Sequence, residues 1–195
     1  MSRRLVAAVG AALVLLAGCT SGDSDAAPGT SASGPDLSEV HSDLEPCPDQ
    51  TDQPAADDSL PDVRLSCFTG GSLDLGKAPG VPMVVNFWAS WCTPCRDELP
   101  EVQQLAGTAG DRVRVVGVVS KDGVSQAASF ASDAGATFPS AFDESGTAMG
   151  KVGLRGLPGT LFITADGRLA YTKIGQVTSL DQLEQLVADH LGVQL

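Results

Sequence analysis

Met83-Val84-Val85-Asn86-Phe87-Trp88-Ala89-Ser90-Trp91-Cys92-Thr93-Pro94-Cys95-Arg96 sets the architecture of this 195-residue chain. The first half is a nearly continuous apolar run, the pattern of a strand covered on both faces. The second half sets two cysteines two residues apart at the head of segment 94–105. There Leu99, Val102 and Leu105 recur at three-residue spacing and predict a helix. Pro94 suits its first turn, and Pro100 predicts a kink. Free N–H groups and a partial positive charge at a helix N-terminus favour a thiolate on the first sulfur. They lower its pKa from about 8.5, so that attack on another disulfide becomes fast. The spacing therefore implies a thiol–disulfide redox centre. A plain structural bridge is the alternative. A zinc site needs two further ligands, and a c-type haem needs His directly after the second cysteine, where Arg96 stands.

Upstream, Arg3 and Arg4 precede an apolar stretch at 5–17. At 1.5 Å per residue this reaches only about 20 Å, short of the ~30 Å hydrocarbon core. It reads as a signal-peptide core, with the signal peptide at 1–18. Leu16-Ala17-Gly18-Cys19 resembles the lipobox of bacterial lipoproteins, which implies cleavage before Cys19 and lipidation of its sulfur. Residues 19–45, rich in Ser, Gly, Asp, Ala and Pro, are expected to form a flexible tether, and 46–195 a folded domain with an N-terminal extension. Of the five cysteines, lipidation of Cys19 leaves four in a compartment that permits disulfides. Four allow three pairings. The close spacing of Cys92 and Cys95 favours the one that also joins Cys47 to Cys67, a structural bridge worth roughly 3 kcal/mol by loop entropy. Loss of Arg3 and Arg4 with the leader takes the formal charge from −12 to −14. So acidic a chain, with no basic cluster, is a poor partner for nucleic acid.

Around the central run, 63–67 and 72–75 alternate with period two and are expected as short strands separated by a Gly70-Gly71 turn. Segment 112–119 reads as a second buried strand, 124–134 as a weaker helix, and 139–142 as at most a short strand. One or two helical turns follow at 145–152. Strands at 160–164 and 169–174 are joined at Asp166-Gly167, a hairpin signal. Ser179-x-x-Gln182 resembles a capping box opening a last amphipathic helix. This order calls for an α/β fold with a mixed central sheet and helices on both faces.

Phe87-Trp88-Ala89-Ser90-Trp91-Cys92-Thr93-Pro94-Cys95 resembles the active-site stretch of the thioredoxin superfamily, and Gly156-Leu157-Pro158-Gly159-Thr160 its second signature. Within it the chain is most similar to the extracytoplasmic TlpA/ResA/DsbE-type oxidoreductases, over about residues 60–195. The resemblance implies a thioredoxin-like fold and a cis-Pro158 beside the dithiol. It also implies a thiol–disulfide oxidoreductase that needs no cofactor, acts on protein thiols and trades electrons with a membrane-embedded partner. Cys92 is then the nucleophile and Cys95 the resolving thiol. Trp91 flanks the site while Trp88 belongs to the core, and Leu157 offers its backbone to an extended substrate. Glu98 matches the family's carboxylate three residues after the second cysteine, which manages the dithiol's protons. A merely solvated Glu98 beside Asp97 and Glu101 is the other reading. General thioredoxins carry a buried Asp where this chain has Asn86, which raises the weight on Glu98. The resemblance leans towards a reductase serving cytochrome c maturation, against a disulfide-forming oxidant. Reduction potentials of such dithiol pairs run from about −270 to −120 mV, and Thr93-Pro94 fixes no point between them. A peroxiredoxin would carry Thr or Ser three residues before its cysteine and Pro seven before, where Ala89 and Val85 stand. A binding lipoprotein with a vestigial cysteine pair is a third class.

Overall fold

The computed structural model describes Leu37 and residues 40–57 and 59–195. The expected signal peptide, Cys19 and most of the expected tether lie outside the described residues. Among those described, no helix is long and apolar enough to cross a membrane.

The sheet is built on β3 (Met83–Trp88), whose six residues are all buried. It lies between β4 (Arg114–Ser120), which pairs parallel to it, and β6 (Gly159–Ile163), which pairs antiparallel. β5 (Ser140–Asp143) and β7 (Leu169–Ile174) complete the order β5-β4-β3-β6-β7. Packed layers remove water from both faces of β3, which is why its sequence is continuous apolar and not alternating. β1 (Arg64–Ser66) and β2 (Ser72–Asp74) form a separate antiparallel hairpin.

Even positions of β3 (Val84, Trp88) join one core with α1 (Thr93–Ala109), α2 (Val124–Asp133) and α4 (Leu180–Leu191). Odd positions (Met83, Val85, Phe87) join a second core with the β1–β2 hairpin and α3 (Thr147–Lys151). The helices thus divide three to one, and the hairpin covers much of the second face. Gly117, opposite Asn86 on β4, leaves room for Trp88. A Cβ there would stand 2.7 Å from the Trp88 indole nitrogen and 2.9 Å from the Phe138 ring. α1 continues through Pro100 for two more turns, longer than its apolar spacing suggests. α4 opens with the Ser179 hydroxyl accepting from the Gln182 N–H. The Gln182 carboxamide reaches back one residue further than a capping box requires, to the Thr178 N–H.

The expectation of a free tether through residue 45 needs correcting. Leu37 and Leu44 are buried in the first core, the Glu45 N–H donates to the Thr137 carbonyl at 2.7 Å, and the Thr69 hydroxyl donates to the Leu44 carbonyl. Leu37, Val40 and Leu44 are few among polar neighbours, but they find a ready apolar surface in the core that holds Phe68 and α2. Their burial offsets the ordering cost that composition alone makes prohibitive.

Candidate active site

Cys92 is the N-cap of α1 and Cys95 sits in its first turn. Their sulfurs are joined in a disulfide with Cα atoms 5.2 Å apart. The Cys92 sulfur also accepts the Cys95 N–H at 3.3 Å, a use of the free donors at the helix head. Both are buried, Cys92 keeping 4% of its surface in solvent and Cys95 none. Pro94, between them, has no N–H to leave unpaired.

Trp88 is fully buried, whereas Trp91 is 60% exposed beside Cys92. The Trp91 indole N–H is fixed by the Lys121 carbonyl at 2.8 Å, and Lys121 holds a left-handed φ of 56°. Asp122 then clasps the β3–α1 loop. Its carboxylate accepts the Ser90 N–H at 2.6 Å, the Ser90 hydroxyl at 3.1 Å and the Gly123 N–H. The Arg96 guanidinium donates to the Ser90 carbonyl and lies 4.4 Å over the Phe130 ring. No motif or period in the sequence points to Lys121 or Asp122. The loop after β4 could have been suspected, because in a parallel pair it ends beside the loop after β3.

The Leu157–Pro158 peptide is cis. It immediately precedes β6, whose first residue pairs with Phe87 near the end of β3. This places Leu157 and Pro158 at the sheet end from which the Cys92 loop emerges. The Pro158 carbonyl accepts the Gly175 N–H, whereas the backbone of Leu157 makes no hydrogen bond among the described residues. Cys47 and Cys67 are buried and joined in a second disulfide, with Cα atoms 5.9 Å apart. It fastens the N-terminal segment to the end of β1, away from this constellation.

Glu98 is not a solvated helix residue. Its side chain is fully buried one turn beyond Cys95. One carboxylate oxygen accepts from the Asn86 carboxamide at 2.8 Å and the other from the Val177 N–H at 2.8 Å. The Asn86 NH2 group also donates to the Thr160 hydroxyl at 3.1 Å, while the Asn86 carbonyl oxygen has no partner among the described residues. Burial pushes the Glu98 carboxyl up from 4.5 to about 7. The Asn86 and Val177 donors and the Lys173 ammonium pull the other way without overcoming it. β3 itself carries no acid. The buried acid stands on the helix, and Asn86 on β3 is its donor. Asn86, Thr160 and Lys173 are cross-strand partners on β3, β6 and β7, so they form one polar row beneath α1.

The Redoxin family matches residues 55–187, most of the folded part. HelX, a thiol:disulfide interchange protein of Rhodobacter capsulatus, is 36% identical over 112 residues, covering 57% of this chain and 60% of HelX. A secreted disulfide oxidoreductase of Mycobacterium tuberculosis superposes with a TM-score of 0.59 at 27% identity, covering 69% of this chain and 99% of that one. The exposed lipoprotein thioredoxin Etrx1 of Streptococcus pneumoniae does so with 0.56 at 30% identity, covering 66% and 99%. With a dithiol at a helix head and a thioredoxin-like sheet beneath it, the chain belongs to the Redoxin family and is a thiol–disulfide oxidoreductase.

Proposed function

We propose that the protein works outside the cytoplasm, held to the membrane by lipid at Cys19, and exchanges disulfides with protein thiols. The observation that carries this reading is a cysteine pair at a helix head, Cys92 slightly exposed and Cys95 fully buried, one turn from a carboxyl raised to about 7. In the reducing direction the Cys92 thiolate attacks a substrate disulfide and expels one substrate sulfur as thiolate. The Cys95 thiol passes its proton to the Glu98 carboxylate and attacks the Cys92 sulfur. That closes the Cys92–Cys95 bond and releases the second substrate sulfur, so two electrons have moved to the substrate. Oxidation of a substrate dithiol is the same sequence reversed. Trp91 provides an apolar face beside the reacting sulfurs, and the unpaired backbone of Leu157 beside Pro158 offers β-like pairing to an extended peptide.

The resemblance to TlpA/ResA/DsbE-type proteins supports reduction of an apocytochrome c disulfide to its two thiols, with a membrane-embedded donor restoring the dithiol. The secreted and lipoprotein relatives support the location. The reduction potential of Cys92–Cys95 against glutathione tests the direction. A value near −270 mV identifies a reductase, and one near −120 mV makes the protein an oxidant. Metabolic labelling with a fatty acid tests the anchor, because labelling that persists in Cys19→Ala removes it.

A further inference from the structure

Lys173, at the end of β7, is half-buried and makes no salt bridge among the described residues. Its ammonium instead gives its three donors to three successive carbonyls: Ile174 at 2.9 Å, Gly175 at 3.2 Å and Gln176 at 3.0 Å. A lysine ending a strand ordinarily leaves its charge in water, where its side chain keeps its rotamer freedom. Here it curls the chain around itself. The turn it gathers includes Gly175 at φ 78° and ends at Val177, whose buried N–H donates to Glu98. The Gly175 N–H in the same turn donates to the Pro158 carbonyl.

We propose that Lys173 is a positioning residue of the active site: by gathering residues 174–176 it presents the Val177 N–H to the Glu98 carboxyl and favours the carboxylate over the acid. This rests on the reading of Glu98 as the proton station of the dithiol. Asn86 also donates to Glu98, but no other cation faces it among the described residues. Asn86 from β3 and Thr160 from β6 are uncharged. On α1, Cys95 is bound in its disulfide and Asp97 is exposed. Glu101, one turn on, points its carboxylate at the Leu180 N–H that opens α4. From α4 itself, Asp181 is exposed. Lys173 is thus the one cation acting on Glu98 among the described residues.

The test follows the Glu98 carboxyl by 13C NMR in the oxidised protein, its resonance assigned by disappearance in Glu98→Gln. Lys173→Met, which keeps the stem and removes the charge, is expected to raise the midpoint so that proton affinity increases about threefold to tenfold. Lys173→Arg is expected to bring it back towards wild type. Lys173→Gln, which keeps a donor for the carbonyls, serves if the Met variant does not fold. A wild-type midpoint in either folded, uncharged variant overturns the proposal, since a merely structural lysine would leave it unmoved. A shifted midpoint with an unmoved pH profile of thiol exchange upholds the Lys173 clamp and removes Glu98 from the thiol chemistry. The two failures are therefore separate.

Discussion

Glu98→Gln should make the oxidised protein more stable above neutral pH and flatten its stability profile. The carboxyl midpoint stands at about 7 in the fold against an ordinary 4.5. The folded state therefore holds more protons than the unfolded chain between those values. The stability this contributes is complete below pH 4.5 and is lost as pH rises through about 7. The loss comes to roughly 3 kcal/mol, at 1.36 kcal/mol per pH unit of difference. The amide avoids this loss because it cannot ionise. Its oxygen can still accept the Val177 N–H, and its NH2 can serve the Asn86 carbonyl oxygen that lacks a partner in the wild type, once the Asn86 amide turns. Guanidinium unfolding with both disulfides intact, followed by circular dichroism at about pH 5, 6, 7 and 8, reads this directly. Wild type should lose stability across the series while the variant stays level, ending about 2–3 kcal/mol apart at the highest pH. Parallel profiles would mean that the charged carboxylate is as well solvated in the fold as in the unfolded chain, and burial would no longer account for its titration.

Cys95→Ser should accumulate mixed disulfides with extracellular proteins through Cys92. Trapping by Cys92→Ser instead, read on non-reducing gels, would reverse the two roles. Asn86→Asp replaces a donor 2.8 Å from Glu98 with a second carboxylate. The two acids should then share a proton, shifting the pH profile of thiol reactivity upward, and an unchanged profile would remove the Asn86–Glu98 pair from the proton path. Cys47→Ala with Cys67→Ala should cost about 3 kcal/mol in unfolding free energy while the potential of Cys92–Cys95 stays put. Gly117→Ala should cost about 1–3 kcal/mol, since its methyl would press on Trp88 and Phe138, and calorimetry would measure it.

Much of the fold was legible because burial left its period in the sequence. The nearly continuous apolar run of β3, the alternation of the β1–β2 hairpin and the Leu spacing of α4 each report which faces are dry. The paired cysteines and Pro158 were legible because their chemistry depends on residue type. Glu98 was half legible. Its position on the helix could be read, but its burial depends on Asn86, 12 residues away, and Val177, 79 residues away. Lys173 left no signal, because a lysine spent on carbonyls is spelled like a lysine spent on water. The polar row to which it belongs needs the register of three strands before it can be seen. The segment around Leu44 escaped for a related reason: three apolar residues make no period, and only the surface that receives them shows why they order.

The Cys47–Cys67 bond also determines how force enters the domain. Cys47 is the first covalent tie between the described N-terminal segment and the folded body, and Cys67 stands just after β1. A pull applied from the N-terminal side crosses from Cys47 to Cys67 through covalent bonds, and the chain between them carries no tension. Leu44 and its hydrogen bonds lie upstream of that clasp. Tension entering from that side reaches residue 67 without first stretching the chain between the two cysteines, for as long as that clasp stays oxidised.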